Sequence, residues 1–140
     1  MIMFLLGAMA TAGIFIAAYF SLATYHIIPE DLIETLPVCN VHGKPERIVD
    51  TFYGRVFYLP NSLYGLLYYS GMLFSVITWG SVWPRGYLTF GFVASAGVLI
   101  FSGFLYWSLR KRLFTLCRLC ITSHLLNLGI FICLLILWLK

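Results

Sequence analysis

The sequence predicts an all-α membrane protein, a four-transmembrane-helix bundle with a long capping loop between its first and second helices. Three observations predict it. Of the 140 residues 61% are hydrophobic and 10% charged, with a mean hydropathy of +0.94, whereas a soluble domain is roughly half apolar and about a quarter charged. The apolar residues gather into four runs, each long enough for a helix across a hydrocarbon core of about 30 Å. All five acids, Glu30, Asp31, Glu34, Glu46 and Asp50, fall between the first two runs. The net charge of +4 rests on nine Lys and Arg at the ends of apolar runs, with no basic stripe. Nucleic acid is therefore not an expected partner, and the lipid bilayer is.

Residues 2–25 carry no charge and form the first span. A cleaved signal peptide is the competing reading, but the run is long for one, lacks a basic start and has no small-residue cleavage site near Ser21 to Tyr25. Ala8, Ala12, Gly13 and Ala17 recur at about four-residue steps, which suits close helix packing. Residues 26–60 are the extramembrane lid, with Cys39, Lys44, Arg47, Arg55 and three prolines before Pro60. A connection of that length is commonly functional, and Ile27, Ile28, Leu32, Ile33, Leu36, Val56, Phe57 and Tyr58 suit it to lying across the bundle mouth. Pro60 opens the second span, 61–79, which carries the aromatic cluster Tyr64, Tyr68 and Tyr69. Trp79, Trp83 and Pro84 make the Gly80 to Arg85 turn an interfacial anchor. Residues 86–109 form the third span, ended by Arg110, Lys111 and Arg112, and 113–139 the fourth, ended by Lys140. No internal repeat divides the chain, so 1–140 is one domain. Four spans put the lid and the 110–112 turn on the same side, which brings Cys39, Cys117 and Cys120 to one surface.

The chemistry concentrates in Leu116 to Asn127. Cys117 and Cys120 stand three apart on one helix face, and His124 and Asn127 continue that stripe. Polar groups at membrane depth need a packed interior or a ligand. A Cys-x-x-C pair fits a thiol/disulfide couple, half a zinc site or two cysteines packed as small hydrophobes. Zinc would need four ligands, with His124, Cys39 and His42 the nearest candidates, and no metal site is expected. A haem attachment would want His directly after the second cysteine, where Ile121 stands. Arg118 between the cysteines, with Arg110, Lys111 and Arg112 shortly before them, favours thiolate and so the redox reading. Cys133 lies about 20 Å further along the helix and about 140° around it, where it is expected to pack. Taken alone, His124 and Asn127 fit satisfied core polar groups, and Asn61 and Ser62 a helix cap. With the thiols they describe an apolar pocket with a few convergent polar groups, closed by Tyr64 and Phe57. The ligand natural to thiols inside lipid is a two-electron lipophilic acceptor, a quinone.

Several motifs, in order and spacing, resemble the vitamin K epoxide reductase family over most of the chain. They are Cys39-Asn40-Val41, Val49 to Arg55 ending in Tyr53-Gly54-Arg55, Asn61-Ser62-Leu63-Tyr64-Gly65, and Cys117-x-x-Cys120-Ile121-Thr122-Ser123-x-x-x-Asn127. The resemblance implies a four-helix bundle that passes electrons from protein thiols to a quinone of menaquinone or ubiquinone type. It implies Cys120 as the sulfur beside the quinone and Cys117 as its resolving partner, exchanging with Cys39 of the loop. Asn61 would then donate a hydrogen bond to a quinone carbonyl. A thioredoxin-like thiol carrier or another external thiol is the implied partner, and disulfide formation the implied purpose. Two positions depart from the family pattern. Glu46 stands where a second loop cysteine is usual, so Cys39 can pair with Cys117 but cannot hold a loop disulfide. His124 stands where relatives of the vitamin K cycle carry tyrosine, although imidazole can still donate to a quinone oxygen. The missing loop cysteine motivates the alternative of a non-catalytic membrane subunit on the same fold.

Sidedness divides the two kinds of argument. The thiol side carries Lys44, Arg47, Arg55, Arg110, Lys111, Arg112 and Arg118, the opposite side Arg85 and Lys140. The positive-inside rule then puts the thiols in the cytoplasm, whereas family resemblance puts them outside, in an oxidising compartment. The charge count predicts that a membrane-impermeant maleimide will label Cys39 and Cys117 only after cells are permeabilised. Labelling on intact cells would reverse the orientation.

Overall fold

Runs of apolar residues without charge have no water to satisfy their backbone groups once inside lipid, and each such run here closes its hydrogen bonds internally as a helix. The computed structural model describes residues 1–25, 27, 55–56, 59–80, 82–108, 110 and 118–140. They form α1 (Ile2–Thr24), a two-stranded ribbon of β1 (Arg55–Val56) and β2 (Leu59–Pro60), then α2 (Asn61–Trp79), α3 (Arg85–Ser108) and α4 (Arg118–Trp138). The helices match the expected spans to within a residue or two, apart from 113–117, which lie outside the described residues together with most of the expected lid. The ribbon is a feature the sequence reading missed: Arg55 pairs with Pro60 and Val56 with Leu59, antiparallel.

Three helices, α1, Arg85–Trp107 of α3, and α4, are long and apolar enough to cross a membrane. The chain is thus an integral membrane protein. α2 has the length without the apolarity, because tyrosine, serine and glycine hold many of its positions. Those polar side chains turn partly inward, as the contacts of Ser62, Tyr69 and Ser75 show.

Small residues set how α1 meets α2. Gly7 faces Val76, Gly13 faces Tyr69, Ala17 faces Gly65 and Ser21 faces Ser62, an antiparallel register in which the numbers rise on one helix as they fall on the other. The Tyr69 ring lies directly on Gly13, where even a methyl group would overlap it. The buried small residues of the helix are therefore Ala10, Gly13 and Ala17, continued by Ser21. Ala8, expected among them, is exposed and Ala12 half-buried, since they fall off the stripe that runs through Leu6, Ala10, Gly13 and Ala17.

α1 also packs on α4, and α4 on α3. Leu6, Ala10, Tyr69, Met72, Ile130, Cys133 and Leu134 belong to one core cluster, so Cys133 is the packing residue the sequence suggested. At the far end Phe92 of α3 stacks on Phe131 and Trp138 of α4, ring centroids 5.2 and 5.7 Å apart. Buried hydroxyls are satisfied locally: Ser21 donates to the Ala17 carbonyl at 2.8 Å, Ser75 to Gly71 at 2.7 Å and Ser95 to Phe92 at 2.9 Å.

Gly80 ends α2 with φ of 51°, a backbone state that disfavours side chains. Its carbonyl accepts from the Trp83 indole N–H at 3.0 Å. Trp79 packs on Tyr87 with centroids 4.1 Å apart and on Trp83 at 6.2 Å. This aromatic knot occupies the turn that the sequence marks as an interfacial anchor.

The seat of Tyr69 gives a stability prediction. Gly13→Ala should destabilise the protein in detergent by about 1–3 kcal/mol, the usual range for overpacking, seen as a lower midpoint of thermal unfolding. Gly71→Ala, at a position with open space around it, should leave that midpoint unchanged or raise it slightly.

Candidate functional site

The helix directions bring Cys120, His124 and Asn61 of the expected residues to one end of the bundle. α1 and α3 finish there, and α2 and α4 start there. Cys120 is in the first turn of α4 as described and carries a free, half-buried thiol. It packs beside Leu119 against Phe20 near the end of α1. His124 follows one turn deeper on the same face, about 6 Å along the axis, and Asn127 about 10 Å.

Asn127 is fully engaged. The Tyr69 hydroxyl of α2 donates to its Oδ1 at 2.6 Å, and its Nδ2 donates to Ser102 Oγ of α3 at 2.7 Å. Tyr69 also lies 3.4 Å from the Ser123 carbonyl. Three helices are thus joined by one buried polar chain, and Asn127 closes the inner end of the stripe.

His124 is different. Both ring nitrogens are buried and have no hydrogen-bond partner among the described residues, and its one described aromatic contact is edge-on to Tyr106 of α3 at 6.3 Å. Among the described residues the only other buried polar side-chain atom without a partner is the Tyr68 hydroxyl. Leaving such a group unpaired costs about 1–3 kcal/mol.

The second helix contributes unevenly. Asn61 is its first residue, half-buried at the same end as Cys120. It does not cap the helix, because the N-cap position belongs to Pro60 and no side chain bonds there. Ser62 turns toward α1, its hydroxyl hydrogen-bonded to Ser21 at 3.0 Å, so the structure brings it to α1 rather than to the stripe. Tyr64 is half-buried one turn along. Cys39, Cys117 and Phe57, the other expected site residues, lie outside the described residues. Arg118, expected to favour thiolate, is exposed at the start of α4.

Sequence reasoning missed Ser102 and underused Tyr69 and Tyr68. A signal existed for Tyr68: it stands seven residues after Asn61, two helical turns on and nearly in line with it.

The arrangement can do thiol chemistry beside an acceptor. Cys120 offers sulfur at the mouth, and His124, one turn inside, offers an imidazole, whose neutral form has one donor and one acceptor nitrogen. The residues fit a quinone on this ground, since an orphaned buried imidazole suits an oxygen of an apolar ring. Among the described residues no group of three or more His, Cys, Asp or Glu could hold a metal ion. No individual curated protein matches the chain significantly. Residues 4–135 match the family model described as the vitamin K epoxide reductase family, nearly the whole of the 140-residue chain. The chain therefore belongs to the vitamin K epoxide reductase family, whose members are membrane oxidoreductases.

Proposed function

We propose that the protein is a thiol:quinone oxidoreductase that supports disulfide formation, with Cys120 as the sulfur that delivers electrons and His124 as the group that holds a quinone oxygen. The observation that carries this reading is the free Cys120 thiol one turn from a buried imidazole with no partner of its own. In this reading α2 is the fourth span, and the lid carries Cys39 over the mouth.

When bound, a quinone accepts two electrons and two protons and leaves as quinol. The chain supplies the electrons from two thiols. Cys117 and Cys120 begin as a dithiol and end as a disulfide, so one sulfur–sulfur bond forms for each quinol released. An external dithiol, presented directly or through Cys39, restores the pair by thiol exchange and is itself oxidised to a disulfide. His124 donates its N–H to the acceptor oxygen, while Phe20 and Tyr106 keep water from the sulfur and the imidazole. Asn61 offers a second donor at the same end. Glu46, in place of a second loop cysteine, leaves resolution of any Cys39–Cys117 bond to an outside thiol.

Two outcomes test this. In purified protein supplied with a dithiol and a short-chain quinone, Cys120→Ala should lower quinone reduction by at least about 100-fold, as removal of a reacting nucleophile does. Retained turnover in that variant would sink the assignment, and absence of turnover in the wild type would favour a non-catalytic subunit. His124→Phe should raise the quinone KM roughly 2- to 10-fold, the equivalent of one hydrogen bond, with a smaller effect on kcat.

A further inference from the structure

The Tyr68 hydroxyl is buried within α2 and bonds to nothing among the described residues, although a phenol in a helix bundle ordinarily finds a partner. Its depth can be read from its neighbour. Tyr69 reaches Ser123 and Asn127, which sets this part of α2 level with residues 123–127 of α4, and hence Tyr68 level with His124. The rings of Tyr68 and Tyr69 are 5.3 Å apart and inclined at 59°, so the two side chains share one level. One is satisfied by Asn127 and the other is left over.

All the partnerless buried side-chain atoms among the described residues, Tyr68 Oη, His124 Nδ1 and His124 Nε2, therefore fall in one layer. The layer is bounded below by the Tyr69–Asn127–Ser102 chain and above by Cys120. α2 makes its broad backbone contact with α1, and toward α3 and α4 it reaches with long side chains such as Tyr69 and Met72. Tyr68 is also nearly in line with Asn61, about 10 Å further in.

We propose that Tyr68 is a further binding residue of the same site, donating its phenolic hydrogen to an oxygen of the quinone and fixing which face of the ring meets Cys120. This rests on the proposed function and adds a specificity-determining contact from the second helix. A phenol is a single donor with a fixed reach, so it holds one carbonyl oxygen of the ring at that depth.

Opposite signs in two measurements separate this from a structural role. Purified wild type, Tyr68→Phe, His124→Phe and Cys120→Ala would be compared in detergent, using a ubiquinone with one isoprene unit as probe and dithiothreitol as donor. In Tyr68→Phe the quinone-free thermal midpoint should hold or rise, because an unpaired buried hydroxyl is gone. Its quinone KM should rise roughly 2- to 10-fold and the quinone-induced rise in midpoint should shrink, with kcat within about twofold. A lower quinone-free midpoint would mean that the hydroxyl is bonded within the fold and would overturn the proposal. So would an unchanged KM and midpoint shift in Tyr68→Phe when His124→Phe alters both, an outcome that leaves the thiol:quinone reading standing. If wild type and Cys120→Ala behave alike, both readings fall together.

Discussion

The bonds from Tyr69 to Asn127 and from Asn127 to Ser102 set the depth of everything else in this bundle. In lipid, apolar surface gives helices little reason to prefer one another, and buried polar contacts with close packing supply register. A hydroxyl, an amide and a second hydroxyl on α2, α4 and α3 meet at 2.6 and 2.7 Å. Once they meet, α2 and α4 cannot slide without stranding a polar group. Cys120 and His124 inherit their heights from that lock, two turns and one turn nearer the mouth.

The lock depends in turn on α1. A tyrosine ring long enough to reach α4 from α2 has to lie across the first helix, and Gly13 is where it lies. Ala10 and Ala17 continue the same stripe, so the smallest residues of the chain sit where the largest inward-reaching side chain needs room. The lower apolarity of α2 follows from the same arrangement. Its serines and tyrosines are not misplaced on a lipid surface; several are engaged inside by α1 and α4. A hydropathy profile averages over faces and reads that helix as weak.

This explains which parts of the protein were legible beforehand. Uncharged runs bounded by Pro60, Gly80, Pro84 and basic residues gave the helices nearly to the residue, because the physics of insertion depends on one-dimensional composition. The stripe of Cys120, His124 and Asn127 was legible for the same reason that any i, i+4, i+7 row is. What the stripe could not reveal was the division of labour along it. His124 is left without a partner and Asn127 has two, and the difference comes from Tyr69 and Ser102, far away in sequence. Ser62 was expected at the site and is found against Ser21, a contact between helices that no local pattern encodes. Ala8 was expected in the seam and is exposed, because four-residue spacing alone does not fix which of two adjacent rows turns inward. The ribbon at 55–60 was hidden by its brevity, two residues a strand.

That ribbon has a bearing on the binding end. Its last residue, Pro60, is also the N-cap of α2, so backbone pairing with Arg55 fastens the chain at the very point from which Asn61 hangs. The tether is made of main-chain atoms and carries no side-chain signature. The opening turn of the helix is thus fastened from both sides, by the ribbon behind Pro60 and by the Ser21–Ser62 bond just after it.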